Sequence, residues 1–570
     1  MDLVSSSEPI SIEESKPKKK VKVATKPKVP SLPLQSYAGP LPTLLLDNGG
    51  WTIKHAVLKP NQALDAEKIK PTQSQNLSAK PKHQLTTLFS SQINSIHNKS
   101  QLIISRPLER GYVVDLGTQF QIWDYILEIE NLNPRHSFSN YATVITKDLA
   151  KPSVSKRSSP IHDGLTFTHT SAVFLLMQPF TPRCIIEKED ECWFRDFGFA
   201  RVGRRLGACC SAYKYLQDGI TASRGGTEYD DDETGCCLVV DCGFSMTSIV
   251  PTVHAQAIEN GIRRINIGGK LLTNLLKQTI SYRKFNMMDE FFLVNDAKEA
   301  LSFVSMNFGQ EMKDARGKRE GRRWFDRDFV LPNFVDTFTG SVRLPSELLH
   351  QKQMEETDIV HLNEEEVMKE ESHPNDENQA ENEDDEEEND EDSDEETEDQ
   401  AKRRILKQRQ EDKKRRELEE MERQVLSVST ERFAVPEVLF RPSDIGIEYL
   451  GIAEAIVQSI EACDPIYRAA MYQNIVLTGG TMKIPNLKER LEQELRSLAP
   501  TNYKVRIYLP KDPMEYAWSG ANALIQKNDF VGDIFLDRSE WETSKEARIS
   551  TGVIWSTKMN QGMESGFIVV

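Results

Sequence analysis

Two short apolar runs in this chain each end in an aspartate that is followed two residues later by a glycine. The first is Leu44-Leu45-Leu46-Asp47-Asn48-Gly49; the second, nearly two hundred residues on, is Leu238-Val239-Val240-Asp241-Cys242-Gly243. A buried strand that stops at Asp-x-Gly sets a carboxylate beside a residue free to take positive φ, so the turn can aim backbone N–H groups at an anion. One such turn is ordinary hairpin chemistry. Two predict a phosphate clamp with two sides, and so a fold that brings the ends of distant strands together. A third run, Ile475-Val476-Leu477-Thr478-Gly479-Gly480, ends in small residues ahead of Pro485 and a helical stripe from Leu487 to Leu498. There a nucleotide can lie against bare backbone near a helix N-terminus. No G-x-G-x-x-G follows a first strand, which argues against a Rossmann site.

The remaining folded sequence alternates strand-like and helix-like segments, the pattern of an α/β architecture. Trp51-Thr52-Ile53-Lys54 reads as a return strand after the first turn. Gln119 to Ile129 reads as a helix with apolar positions 120, 122, 123, 126 and 129, and Ala208 to Leu216 as a buried helix. The stripe Leu271, Leu272, Leu275 and Leu276 reads as helix core. At 570 residues the chain is long enough for two or more domains with large cores. No apolar run approaches the roughly 18 residues that span a bilayer, and the N-terminus is polar and basic, so a soluble chain with no membrane partner is expected. The eight cysteines, including the pairs Cys209-Cys210 and Cys236-Cys237, lie in apolar runs without CxxC or Cys/His spacing. They read as reduced core residues rather than zinc ligands.

Net charge is -17, but its distribution matters more than its sum. Residues 363–400 hold 22 Asp or Glu against one lysine, which makes this segment -21 and leaves the remainder at about +4. Such a tract buries too little apolar surface to offset chain entropy, so disorder is expected. It is followed by Lys402-Arg403-Arg404 and Lys413-Lys414-Arg415-Arg416, in a charged stretch that looks helical to about Arg423. Residues 351–427 therefore read as an insertion, acidic and disordered first, basic and helical last. It is either a tolerated surface loop or a polyelectrolyte that attracts basic partners such as histones. Residues 1–40, rich in Pro, Ser and Lys, read as a disordered basic tail. Within 16–23, Pro17-Lys18-Lys19-Lys20 is what a nuclear import receptor can read. With the cluster at 402–416 it points to the nucleus, with the cytoplasm as a second location.

Taken together, these residues resemble the actin family. The likeness covers part of Leu41 to Gly111, then most of Gly203 to Phe308 and Glu431 to Trp555. Its strongest stretches are Glu431 to Gly446 and Asn474 to Gly480. Ile265 to Asn274, Pro442 to Ile447, and Arg106-Pro107 with Gly111-Tyr112 and Trp123-Asp124-Tyr125 place the likeness in a nuclear, actin-related branch. The resemblance implies an α/β, actin-like fold of two lobes and four subdomains, shared with heat-shock chaperones and sugar kinases, with a nucleotide cleft. The first lobe would comprise 41–240 and a return at 510–570. The second would comprise 241–350 and 428–509, with the insertion in its outer part.

For the site, the resemblance implies ATP or ADP with magnesium. Asp47 and Asp241 match the acidic positions that hold magnesium through waters. Gly49, Gly243 and Lys54 also match, the lysine at the position that meets the β-phosphate. Gly269, Lys298, Glu299, Gly479 and Gly480 match positions around the adenosine. The departures lie at the terminal phosphate and the attacking water. Gly50 and Trp51 stand for the family's serine and glycine, and Phe244-Ser245 for its Asp-Gly. Gly207 stands for the glutamine that orients water and Ser248 for a nearby histidine. Met514 and Ile484 replace a lysine and an aromatic at the base. A glycine offers no polar group to position water, so no catalytic residue and negligible hydrolysis are expected. The branch's implied partners are the motor ATPase insert and zinc-finger HIT subunit of a Swr-type chromatin remodeller that installs the Z-type histone variant. Histones or the nucleosome would meet the acidic tract, and the chain would be a monomer within a hetero-complex. Two other functions stay open: an active ATPase or phosphotransferase on the same fold, and a histone-binding chaperone working through the acidic tract.

Overall fold

The computed structural model describes residues 41–59, 69–82, 84–130, 132, 171–219, 235–283, 286–316, 324–334, 337–345, 425–527 and 534–551. The basic tail, the acidic tract and the charged stretch up to Arg423 lie outside these residues. Two sheets organise the rest. In the first, the strands run in the order Phe535–Asp537, Arg201–Leu206, Ala172–Met177, Thr43–Asn48, Thr52–Leu58, Thr72–Gln75. In the second, the order is Gln256–Ala257, Thr247–Val253, Cys236–Cys242, Ile475–Thr478, Ile507–Tyr508, with Arg263–Ile265 also on Thr247–Val253. Leu44, Leu45 and Leu46 are consecutive and all fully buried, as a strand covered on both faces requires.

The two sheets repeat one device. Thr43–Asn48 folds back antiparallel onto Thr52–Leu58, with Asp47 opposite Lys54, and is parallel to Ala172–Met177. Cys236–Cys242 folds back onto Thr247–Val253, with Asp241 opposite Ser248, and is parallel to Ile475–Thr478. The strand that brings Asp241 to the turn begins at Cys236 and belongs wholly to the second sheet. The boundary expected between residues 240 and 241 falls inside this strand, whose Leu238 to Val240 pair with Ile475 to Leu477.

Helix Leu116–Ile129 starts at Asp115, whose carboxylate accepts from Thr118 N at 3.0 Å and Thr118 Oγ1 at 2.6 Å. These bonds hold its carboxyl below the ordinary range. The buried face is Gln119, Ile122, Trp123, Ile126 and Leu127; of the predicted stripe, 122, 123 and 126 are buried and Phe120 packs against the same core, while Ile129 is exposed. Helices Gly207–Gln217, Gly269–Arg283 and Leu487–Leu498 fall where the sequence predicts them. Leu272 and Leu276 are core, with Leu271 and Leu275 packed against it. All eight cysteines are free thiols, seven of them buried. No described helix is long and apolar enough to cross a membrane.

The insertion ends earlier than its composition suggests. Val425–Val428 is a strand on Arg327–Val330, which carries Ser341–Arg343 on its other side. Residues 425–427 therefore belong to the fold, because Val425, Leu426 and Val428 bury their side chains there. Arg343 and Ser427 both face Asp328, so the chain leaves and returns two strand spacings apart, about 10 Å.

Helices Gly207–Gln217 and Tyr516–Lys527 cross at Gly520, where an added Cβ would run into the Cys210 carbonyl, its carbon 2.6 Å away. Helix propensity alone favours alanine there by about 1 kcal/mol. Overpacking against backbone outweighs it, so Gly520→Ala should lower stability by about 1–3 kcal/mol in chemical denaturation. A gain in stability would contradict this packing.

Candidate functional site

The two Asp-x-Gly turns face each other. Asp47 Oδ2 accepts from Lys54 Nζ at 2.5 Å, and both groups are largely buried. Asn76 Nδ2 steadies this turn by donating to Asn48 Oδ1 and Gly49 O, each at 2.9 Å. Asp241, at the end of the facing strand, is partly buried. Loss of water pushes its carboxyl up to about 6, the Asp47 charge adds to that, and Lys54 opposes it. Gly479, with φ +93°, packs so closely that a Cβ would lie 2.7 Å from Asp241 Oδ1. Only glycine suits both that conformation and that approach. The hydroxyl of Thr478, opposite Asp241 on the neighbouring strand, is buried without a hydrogen-bond partner.

A second group forms around Gly243. Its carbonyl accepts from Gly269 N at 3.1 Å and Thr481 Oγ1 at 2.9 Å, and its own N–H donates to Met246 O at 3.0 Å. Gly269 opens helix Gly269–Arg283; a Cβ there would sit 3.3 Å from Thr481 Oγ1 and 3.6 Å from Lys298 Nζ. Lys298, on helix Phe291–Leu301, is buried and donates to Asn295 Oδ1 at 2.9 Å and Thr273 Oγ1 at 3.0 Å. Burial pushes its ammonium down, against the pull of Glu299 and Asp296. Glu299 joins only indirectly, accepting from Asn295 Nδ2 at 2.8 Å. Gly480 lies under Met514, whose Cγ would be 3.5 Å from a Cβ.

The structure thus gathers seven of the ten predicted residues into a carboxylate end (Asp47, Lys54, Asp241, Gly479) and a second group (Gly243, Gly269, Lys298), while Gly49 lies on the first turn, Gly480 under Met514, and Glu299 joins only through Asn295. Between them the turns are in contact: a Cβ on Gly50 would collide with Ser245 Oγ, and the Phe244 ring is 3.6 Å from the same point. Trp51 lies over this contact, its ring 5.2 Å from Phe244, 5.4 Å from Phe291 and 5.5 Å from Phe292. The residues fit a hard cation at the carboxylate end, where two carboxylates and an unpartnered hydroxyl converge. They do not fit a terminal phosphate, because protein atoms fill the gap between Gly50 and Ser245. Gly207 is buried at the start of its helix, and a Cβ there would be in ordinary contact with Ala517 Cβ at 3.8 Å and Met177 O at 3.9 Å. Ser248 is buried opposite Asp241.

Sequence reasoning missed Phe291, Phe292 and Arg106. The aromatic pair lies at the first turn of a helix without a distinctive spacing, and Arg106 carried only family likeness. Its guanidinium carbon lies 3.9 Å from the Phe291 ring centroid, 5.4 Å from Trp51 and 5.6 Å from Phe244. Among the described residues no cluster of three or more His, Cys, Asp or Glu could hold a metal.

An actin-family profile matches residues 44–551, so the two facing hairpins and the Gly-Gly strand beside the second of them have a family. The chain belongs to the actin family, and its fold is the actin fold. Among individual relatives it is similar to actin-related protein 6 of Arabidopsis thaliana, 29% identical over 510 residues that make up 89% of this chain and 97% of that protein. The protein of that name from Dictyostelium discoideum is 30% identical over 513 residues, 88% and 94% of the two chains. That of Drosophila melanogaster is 28% identical over 488 residues, 85% and 94%.

Asp241 gives a pH-dependent readout. Its folded carboxyl keeps the proton to about pH 6, whereas the unfolded one releases it near 3.8, so ionisation opposes folding. On this group's account stability is greatest below about pH 4 and is lost as pH rises to about 6. Asp241→Asn should therefore raise stability at pH 7.5 by about 1–3 kcal/mol, with the difference vanishing below pH 4. Denaturation at both pH values checks it; equal or lower stability of the variant at pH 7.5 would mean that the carboxylate is compensated, as a bound cation would do.

Proposed function

We propose that this chain is a non-catalytic actin-related subunit of a nuclear, ATP-dependent chromatin-remodelling complex that exchanges the Z-type histone variant into nucleosomes. In this reading it scaffolds the motor, held by the motor ATPase insert together with a zinc-finger HIT subunit, and contacts histones or the nucleosome. The observation that carries the non-catalytic part is the contact between Gly50 and Ser245 beneath Trp51 and Phe244. Proteins of the actin fold commonly bind ATP or ADP with magnesium; hydrolysis needs a terminal phosphate in line with a positioned water. The contact of Gly50 with Ser245 takes up space that a terminal phosphate would need, and Gly207 offers no side chain to orient water. The assembly part is supported by extended similarity to proteins named actin-related protein 6 and by the basic clusters at 16–23 and 402–416.

The acidic tract supports histone contact. A segment of -21 raises the local concentration of basic partners and speeds their encounter, with an effect that salt weakens. The strands that flank it, Ser341–Arg343 and Val425–Val428, both pair with Arg327–Val330.

Affinity purification of the full chain from nuclear extract should recover a remodelling motor and a zinc-finger HIT protein. Recovery of cytoskeletal partners instead would overturn the assignment. Deletion of residues 363–400 should leave that recovery unchanged and lower affinity for histone dimers at low salt about tenfold or more. Unchanged low-salt affinity would remove the tract from histone binding.

A further inference from the structure

We propose that the hairpin formed by Leu108–Glu109 and Tyr112–Val113, with Arg106 at its base, is a latch that holds the two Asp-x-Gly turns together without nucleotide. The proposal shares with the reading above only the contact of the turns, and does not depend on the chain's partners. The hairpin is anchored to the first sheet's side: Tyr112 OH donates to Pro179 O at 3.1 Å, just beyond strand Ala172–Met177. From that anchor Glu109, Arg110 and Gly111 reach across to the second sheet and its helices.

Arg106 is the centre of the device. Its guanidinium is sandwiched among rings from both sides of the turn contact, Trp51 on one side and Phe244 and Phe291 on the other. Its Nε and Nη2 are buried without hydrogen-bond partners, and burial pushes its pKa down to about 10. A guanidinium so poorly satisfied is costly to keep; the Glu109 charge offsets part of that cost and the ring faces another part. The ring contribution exists only while the three rings are together, so it favours the closed turns.

The tip of the hairpin is fixed in the same sense. Arg110 and Gly111 have φ of +48° and +80°, the conformation of a tight hairpin turn and an unfavourable one for arginine. The Arg110 carbonyl is held by Arg264, whose guanidinium carbon also lies 4.1 Å from the Tyr112 ring centroid. Gly111 abuts Met246 on the second turn, with Sδ 3.2 Å from where a Cβ would be. At the rim, Glu109 accepts from Lys270 Nζ at 2.7 Å; that pair is exposed and worth little by itself. In an actin-type cleft a bound nucleotide touches both halves. Here the hairpin and Trp51 make the equivalent bridge from the protein's own side chains.

Hydrogen–deuterium exchange on the full chain, before and after treatment with EDTA and apyrase, tests the latch. Wild-type exchange in peptides covering 49–52 and 243–246, and the Tm, should not change with treatment. Arg106→Ala should speed exchange in both peptides about tenfold, while peptides from the Leu487–Leu498 helix stay unchanged. Arg106→Lys, which keeps a cation over the rings, should fall between. Should Arg106→Ala fail to fold, Phe291→Leu keeps apolar volume, removes a ring face, and should open the same two peptides. Unchanged exchange in both turns of either folded variant, or opening of the wild-type turns on nucleotide removal, would overturn the latch. Steady ATP turnover with the latch effects intact would instead overturn only the non-catalytic reading.

Discussion

The structure depends on one contact, that of Gly50 with Ser245, where two hairpins from different sheets meet under an aromatic cover. In a phosphate clamp the two turns must stand apart by the width of the anion. Here Gly50 carries no side chain, and Ser245 fills the space beside it. Trp51 and Phe244 then bury the joint, each aromatic pair adding about 0.5–1.5 kcal/mol beyond the area it hides. With the gap filled, the two turns meet in an internal seam.

The two aspartates follow from the same constraint. Asp47 and Asp241 sit near each other with one lysine between two carboxylates, and that lysine is bonded to Asp47. A divalent cation would balance the pair. Without one, Asp241 is under-compensated and holds its proton up to about pH 6. The carboxylates still fix the two strand ends, through Lys54 on one side and the close approach of Gly479 on the other. They serve as frame.

Much of this was legible in the sequence. Strand-Asp-x-Gly, repeated and followed by strand-Thr-Gly-Gly, specifies three strand ends at one place, since each motif combines burial, a carboxylate or a bare backbone, and a turn. Trp51 and Phe244 were visible as departures. What their rings touch was not, because Phe291, Phe292 and Arg106 come from segments distant in sequence, and cation–ring contacts leave no spacing pattern. The same holds for the strands Cys236–Cys242 and Val425–Val428. Local pattern marks a strand, but only its partner decides which sheet it joins; four residues after a long charged stretch acquire a place through Arg327–Val330. The exposed Ile129 shows the converse, an apolar residue at the end of a helical stripe that turns to solvent once the buried face is set by Trp123 and Leu127.

The central claim is that protein atoms occupy the place of a terminal phosphate, and nucleotide stoichiometry tests it most directly. Full-length protein purified under native conditions with magnesium ATP present is denatured, and the released nucleotide is quantified by mass spectrometry. The account predicts no ATP retained. One ATP per chain would contradict it, because the turns would then have to stand apart with the phosphate between them.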